Sequence, residues 1–297
     1  MTLTEYLSTI LESQTLASDG EELQQLQKHR KAVEDILRAK FSKRSPTIRY
    51  GGSVAKKTLI KVAYDLDIIC YFEHDDNNAG ESLREIYDNV KDALSKDYSV
   101  EPKTSALRLK GKGVSDFLLD FHVDVVPGRF TDEQRSDCYI YQASGEKSRL
   151  KTNIETHIKH IRDSGLTEAI RVMKLWNVQN GIGVKTFVLE LLVVEALKKH
   201  GTESLGDQFV AMLTRLRDDV YGIHIEDPAN PTGNDLSGAL DDGVRLSLES
   251  VATSTLSYIQ DNNFPKVFGN VASAAGNAIP LVTVVSSVNR GTRPWAH

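Results

Sequence analysis

The chain has 297 residues, 40% of them hydrophobic, with 36 Lys and Arg against 41 Asp and Glu for a formal net charge of −5. Its length and apolar content support a real core and two lobes, while the negative balance argues against a surface built throughout to grip DNA or RNA. No apolar run approaches the roughly eighteen residues of a membrane span. Two cysteines, Cys70 and Cys138, are too few for a disulfide framework or a cysteine zinc site and read as buried small residues.

The start, Met1-Thr2-Leu3-Thr4-Glu5, is polar and lacks a charged-then-apolar export signal, so a cytoplasmic location is expected. From about Gly20 to Phe41, Leu23, Leu26, Val33, Ile36 and Leu37 recur at helical spacing and predict a long amphipathic helix. Strand patterns follow over Thr47 to Tyr50, Asp65 to Phe72, Tyr98 to Leu109 and Val114 to Val126, with a helix near Glu81 to Leu94. The last two strands read as a hairpin turning at Lys110-Gly111-Lys112-Gly113, where Arg108, Lys110 and Lys112 are expected as solvated charges. This order favours a small mixed sheet over a doubly wound parallel one.

Beyond Pro127 the texture changes. Asp132 to Ser148 is polar and irregular, and helices are predicted over Thr152 to Ser164, Thr167 to Gln179, Val184 to His200, Leu205 to Asp218 and Asp235 to Gln260. A proline and asparagine loop, Glu226 to Asn234, separates the last two. Phe264 to His297 has no clear period and reads as either an ordered or a disordered tail.

The chemistry concentrates in the first half. Asp65 and Asp67 stand at i and i+2 of a strand and share a face, so both can serve divalent cations while Leu66 and Ile68 face the core. Upstream, Gly51-Gly52-Ser53 supplies unhindered backbone and a hydroxyl suited to a polyphosphate, with Lys56, Lys57 and Lys61 nearby. A third carboxylate comes from Leu118 to Pro127: Asp124, with Asp120 the alternative about 13 Å along the strand. His122 between them reads as a packed or hydrogen-bonded strand residue, because Mg²⁺ prefers oxygen ligands. Three carboxylates suit two Mg²⁺ ions, with Mn²⁺ the alternative, one activating an attacking hydroxyl and the other holding the triphosphate and leaving pyrophosphate. The constellation reads as nucleotidyl transfer.

Gly52-Ser53, Asp65-x-Asp67 and Asp124 resemble the motifs of the DNA-polymerase-β-like nucleotidyltransferases. Arg171 to Trp176, Lys185 to Leu192 and Asp227 to Thr232 are similar to oligoadenylate synthases and, equally, to bacterial cyclic-oligonucleotide synthases related to cyclic GMP-AMP synthase (CD-NTases). The resemblance spans most of residues 20 to 260. It implies an α+β fold: a polymerase-β-like mixed β-sheet lobe over 1–150 with the long N-terminal helix, a helical lobe over 151–297, and the active site between them. It also implies that Lys174 binds the donor triphosphate and that Thr186-Phe187 replaces a Ser-Tyr pair whose serine touches phosphate and whose ring stacks on a base. On the residues alone, Lys174 reads equally as a solvated helix lysine, Phe187 as a core aromatic, and Trp176 as core. The departure keeps a hydroxyl and a ring but loses the tyrosine hydroxyl.

The resulting expectation is an enzyme that condenses nucleoside triphosphates, ATP among them, into a cyclic di- or trinucleotide messenger of antiphage defence, regulated by accessory proteins. Without a cysteine and histidine zinc-ribbon insertion, direct activation by DNA is not expected. The alternatives are linear 2′–5′ oligoadenylate synthesis, nucleotide addition to RNA such as a tRNA terminus, and a nucleotide sensor without catalysis.

Overall fold

The computed structural model describes residues 1–17, 19–41, 46–63, 65–111, 123–144, 147–230 and 235–271. In chain order they form α1 (Leu3–Ser13), α2 (Glu21–Lys40), β1 (Thr47–Tyr50), α3 (Gly52–Lys56), β2 (Leu66–Phe72), α4 (Leu83–Leu94), β3 (Tyr98–Pro102), β4 (Leu107–Gly111), β5 (Val123–Phe130), β6 (Cys138–Tyr141) and β7 (Arg149–Thr152). Helices follow: α5 (Ile154–Arg162), α6 (Thr167–Gln179), α7 (Thr186–Ala196), α8 (Leu205–Asp219), α9 (Asp242–Gln260) and the short α10 (Pro265–Phe268). The chain is therefore α+β with a mixed sheet, as expected. The tail after 271, Asp120, His122 and the Lys112-Gly113 turn lie outside the described residues.

Two compact units divide the described elements: a sheet unit within residues 16–57 and 64–158, and a helical unit of 1–15, 58–63 and 159–271. A division into 1–150 and 151–297 misses the first fifteen residues and the segment 58–63. Burial explains their assignment. The apolar stripe Tyr6, Leu7, Ile10 and Leu11 of α1, and Ile60 of the segment, are buried in one cluster with Ile170, Met173 and Trp176 of α6 and Phe209 and Met212 of α8. The Tyr6 hydroxyl donates to the Gly269 carbonyl at 2.8 Å and accepts from the Phe268 amide at 3.1 Å, and burial pushes its pKa up to about 12. Arg171 on α6 donates to the carbonyls of Leu59 and Leu11 at 3.1 and 3.2 Å and to the Thr15 hydroxyl at 2.7 Å. One guanidinium thus ties both outlying segments to the helices.

In the sheet unit the strand order is β1-β2-β5-β4-β3, with β6 pairing β5 and β7 pairing β6. β5 pairs in parallel with β2 along one edge. Its other edge is shared, antiparallel, by β4 over Val123 to Val125 and by β6 over Gly128 to Phe130. Leu66, Ile68, Cys70 and Phe72 of β2, Leu107 and Leu109 of β4, and Val123 and Val125 of β5 pack with Leu26, Val33 and Leu37 of α2 and Ile86, Val90 and Leu94 of α4. The alternate positions of β2, Ile69 and Tyr71, form a smaller cluster with Phe130, Cys138 and Ile140. Both cysteines are buried, as expected, and burial pushes each thiol above its usual range.

The stretch expected as one strand over 98–109 is two, folded antiparallel with Pro102 opposite Leu107. The polar run Lys103-Thr104-Ser105 was the available turn signal. Strands β6 and β7 fall inside and just beyond the stretch read as irregular; they are four residues each and alternate weakly.

The helical unit contains a buried charge pair. Helix α7 is apolar nearly all round, as a fully enclosed helix should be, yet Glu190 at its middle is 0% exposed. Lys174 on α6, 4% exposed, meets it at 3.2 Å and also donates to the Thr58 carbonyl at 2.9 Å and hydroxyl at 3.3 Å. The Thr58 hydroxyl donates to Glu190 at 2.6 Å. Removing one member of such a pair leaves an uncompensated charge in the core. Lys174→Met is expected to cost roughly 3–5 kcal/mol, and Lys174→Met with Glu190→Leu to recover most of it, which denaturant midpoints of the single and double variants will check.

Candidate active site

Strand β1 delivers the glycine loop. Tyr50 lies opposite Ile68 in the antiparallel β1–β2 register, and the next residue, Gly51, donates its amide to the Asp67 carbonyl at 2.8 Å. The following residue needs to be glycine for two reasons. Gly52 has φ +50, a left-handed conformation, and a Cβ there would stand 1.6 Å from Oδ2 of Asp67. The Asp67 carboxylate therefore lies directly against the Gly52 backbone, and loop and metal-type carboxylate form one unit. Ser53 follows in the first turn of α3, partly exposed.

Asp65 sits immediately before β2 and Asp67 is its second residue, both half-buried. In the parallel β2–β5 register Asp67 is directly beside Asp124, and in the antiparallel β4–β5 register Asp124 is beside Arg108. The apolar neighbours of these residues all face the α2–α4 side. The alternation of side chains consequently puts Asp67, Asp124 and Arg108 in one row on the opposite face.

The row departs from the expected three-carboxylate cluster. Asp124 is 0% exposed, and its two oxygens accept from Nε and Nη2 of Arg108 at 2.9 and 2.8 Å. Among the described residues no three Asp, Glu, His or Cys side chains converge so as to hold a metal. The physical reason is the fork of Arg108, which matches a carboxylate in two parallel bonds and draws Asp124 towards β4. Hydrogen bonding to Asp124, then the charges of Asp124, of Glu101 beside it in the β3–β4 register and of Asp67, hold the Arg108 pKa above its ordinary value against the opposing effect of burial. Arg108 is thus a buried partner of the site and corrects its reading as a solvated turn residue; Lys110, two residues on, is exposed and pairs with Glu101 at 3.2 Å. The alternation Leu107-Arg108-Leu109 put Arg108 on the polar face, but only the strand register names its partner.

The donor chemistry nonetheless suits a hard divalent cation. All three candidates are carboxylates, Asp67 is fixed against Gly52, and Asp124 is its register neighbour.

The residues expected from the second half belong to the helical unit. Lys174 donates to the Thr58 carbonyl and hydroxyl and meets Glu190, so a triphosphate at its ammonium would compete with a buried pair. Thr186 is the exposed first residue of α7, whose first turn contains no acidic side chain and whose N-cap, Lys185, makes no side-chain cap bond. Phe187, half-buried, packs on the helical core. Trp176 is fully buried, as expected, and donates to Thr255 at 3.0 Å.

No protein-family model and no curated protein matches the chain. Solved structures do. CdnC of E. coli MS115-1, in its complex with HORMA-deltaN, aligns with a TM-score of 0.65 at 18% identity, covering 91% of this chain and 98% of that one. The Bradyrhizobium diazoefficiens CD-NTase CdnG, in complex with GTP, aligns at 0.65 and 13% identity, covering 90% and 95%. The cyclic AMP-GMP synthase DncV of Vibrio cholerae aligns at 0.62 and 18% identity, covering 91% and 80%. The mixed-sheet unit and the helical unit thus have the fold of these solved structures, CdnC, the CD-NTase CdnG and DncV.

Proposed function

We propose that the chain is a metal-dependent nucleotidyltransferase that condenses nucleoside triphosphates into a cyclic di- or trinucleotide, releasing pyrophosphate at each bond. The observation that carries this reading is the fixed row in which Asp67 lies between the Gly52 backbone and Asp124. A ribose hydroxyl of one nucleotide attacks the α-phosphorus of another, the bond to pyrophosphate breaks, and the hydroxyl proton leaves to a carboxylate or water. Two Mg²⁺ ions, or Mn²⁺, held by Asp65, Asp67 and Asp124 would acidify the attacking hydroxyl and offset the charge of the departing pyrophosphate.

The chain's own groups do the positioning. Gly51 anchors the loop to the Asp67 backbone, so the unhindered amide of Gly52 and the Ser53 hydroxyl are presented beside the carboxylates to the β- and γ-phosphates. Thr186 and Phe187 are the second group in the proposal, the hydroxyl for phosphate and the ring for a base. The likeness in fold to CdnG and DncV supports the cyclic product, and CdnC, solved with HORMA-deltaN, supports regulation by an accessory protein; a role in antiphage signalling is part of the proposal. No described helix is long and apolar enough to cross a membrane.

Purified protein incubated with all four ribonucleoside triphosphates and Mg²⁺ or Mn²⁺ is expected to yield phosphatase-resistant cyclic products by mass spectrometry. Linear 2′–5′ chains instead would place the enzyme with oligoadenylate synthases, and labelling of added tRNA without cyclic product would overturn the reading. Asp65→Asn with Asp67→Asn is expected to abolish turnover while circular dichroism stays unchanged; an active double variant would sink the metal assignment. Gly52→Ala forces the Asp67 carboxylate aside, and since a displacement of about 1 Å can cost on the order of 10²-fold, its kcat should fall by at least that factor with the fold retained.

A further inference from the structure

Asp124 cannot face the interior alone. A carboxylate at 0% exposure is strongly destabilising unless a cation and hydrogen bonds offset its lost hydration, and the next residue across the parallel register, Asp67, adds a second negative charge. Arg108 supplies the compensation from the other edge of β5, with both oxygens engaged at 2.9 and 2.8 Å and its own side chain 9% exposed. The guanidinium therefore stands where the third metal-type carboxylate would otherwise require a metal.

We propose, resting on the metal-dependent reading above, that Arg108 is the resident counter-cation of Asp124 in the metal-free protein, and that the divalent ion competes with it for that carboxylate. Three observations carry this. The pair is bidentate, so Asp124 cannot turn fully towards Asp67 without breaking at least one of two charge-assisted bonds. It is sheltered, so salt and water weaken it little. It is fixed by backbone, because Arg108, Asp124 and Asp67 occupy one register row across β4, β5 and β2. Arg108 is thus a positioning residue, acting through Asp124. The arrangement lets the sheet fold without metal and makes completion of the site depend on the ion, or the ion carried in with a triphosphate, outcompeting an internal cation.

The test is Mn²⁺ binding to the full chain by isothermal titration and electron paramagnetic resonance, alongside melting temperatures with and without Mn²⁺. Arg108→Met is expected to melt lower without metal, to bind Mn²⁺ about tenfold tighter or more, the scale expected when one unit charge leaves a partly buried site, and to gain more in melting temperature from Mn²⁺ than the parent. Arg108→Lys keeps the charge, loses the fork, and should fall between; it carries the test where Arg108→Met does not fold. Adding Asp124→Asn should erase the difference in Mn²⁺ affinity. A purely structural role predicts lower stability with unchanged or weaker Mn²⁺ binding, and that result in both Arg108 variants overturns the proposal. A tightening that survives Asp124→Asn overturns it as well. If the parent itself binds no Mn²⁺, the metal-dependent reading falls, and the competition falls with it.

Discussion

Two aspartates in neighbouring strands cannot part at the backbone: strand spacing holds their main chains about 4.8 Å apart, and the parallel register of β2 and β5 sets Asp67 beside Asp124. The rest of the sheet unit is arranged around that repulsion. β5 occupies the centre, with an acidic neighbour on one edge and a guanidinium on the other. The apolar faces of the same strands are committed to α2 and α4, which prevents a one-residue slip: it would send Leu66, Ile68, Val123 and Val125 out and bring the charges into the core. Hydrophobic packing on one face thereby enforces an electrostatically costly row on the other.

Each unit encloses an ion pair, and the two pairs differ in kind. Lys174, Glu190 and Thr58 bond to one another and join segment 58–63 to the helices. Such a set gives a unique packing more than it gives stability. Arg108 and Asp124 instead adjoin a half-buried carboxylate, Asp67, which lies against the Gly52 backbone. The same physics, a buried charge needing a partner, operates at both pairs.

Much of this was legible in the residues. The alternation around Asp65-x-Asp67 and Asp124 marked their shared strand faces, and the periodicity of α2, β1, β2, α6 and α8 marked elements found within a residue or two of their expected limits. Short weakly alternating strands were not legible: β6 and β7 derive their stability from pairing along β5, a tertiary circumstance that leaves little trace in four residues. Nor was the fate of α1, whose apolar stripe could have been buried in either unit and whose place is fixed by Tyr6 and Arg171.

The sequence by itself therefore determined which side chains lie on the polar face of each strand, because alternation is a local property of extended backbone. It also determined that residue 52 could be glycine and that three carboxylates were available. Only the tertiary structure decided who stands beside whom. The register between β4, β5 and β2, strands separated by tens of residues, brings Asp124 to Arg108 on one side and Asp67 on the other. The burial of Lys174 beside Thr58 and Glu190 likewise shows a partnership that helical spacing alone does not name. Partnership between distant charges depends on long-range pairing and burial, and neither is written in the local pattern of the chain.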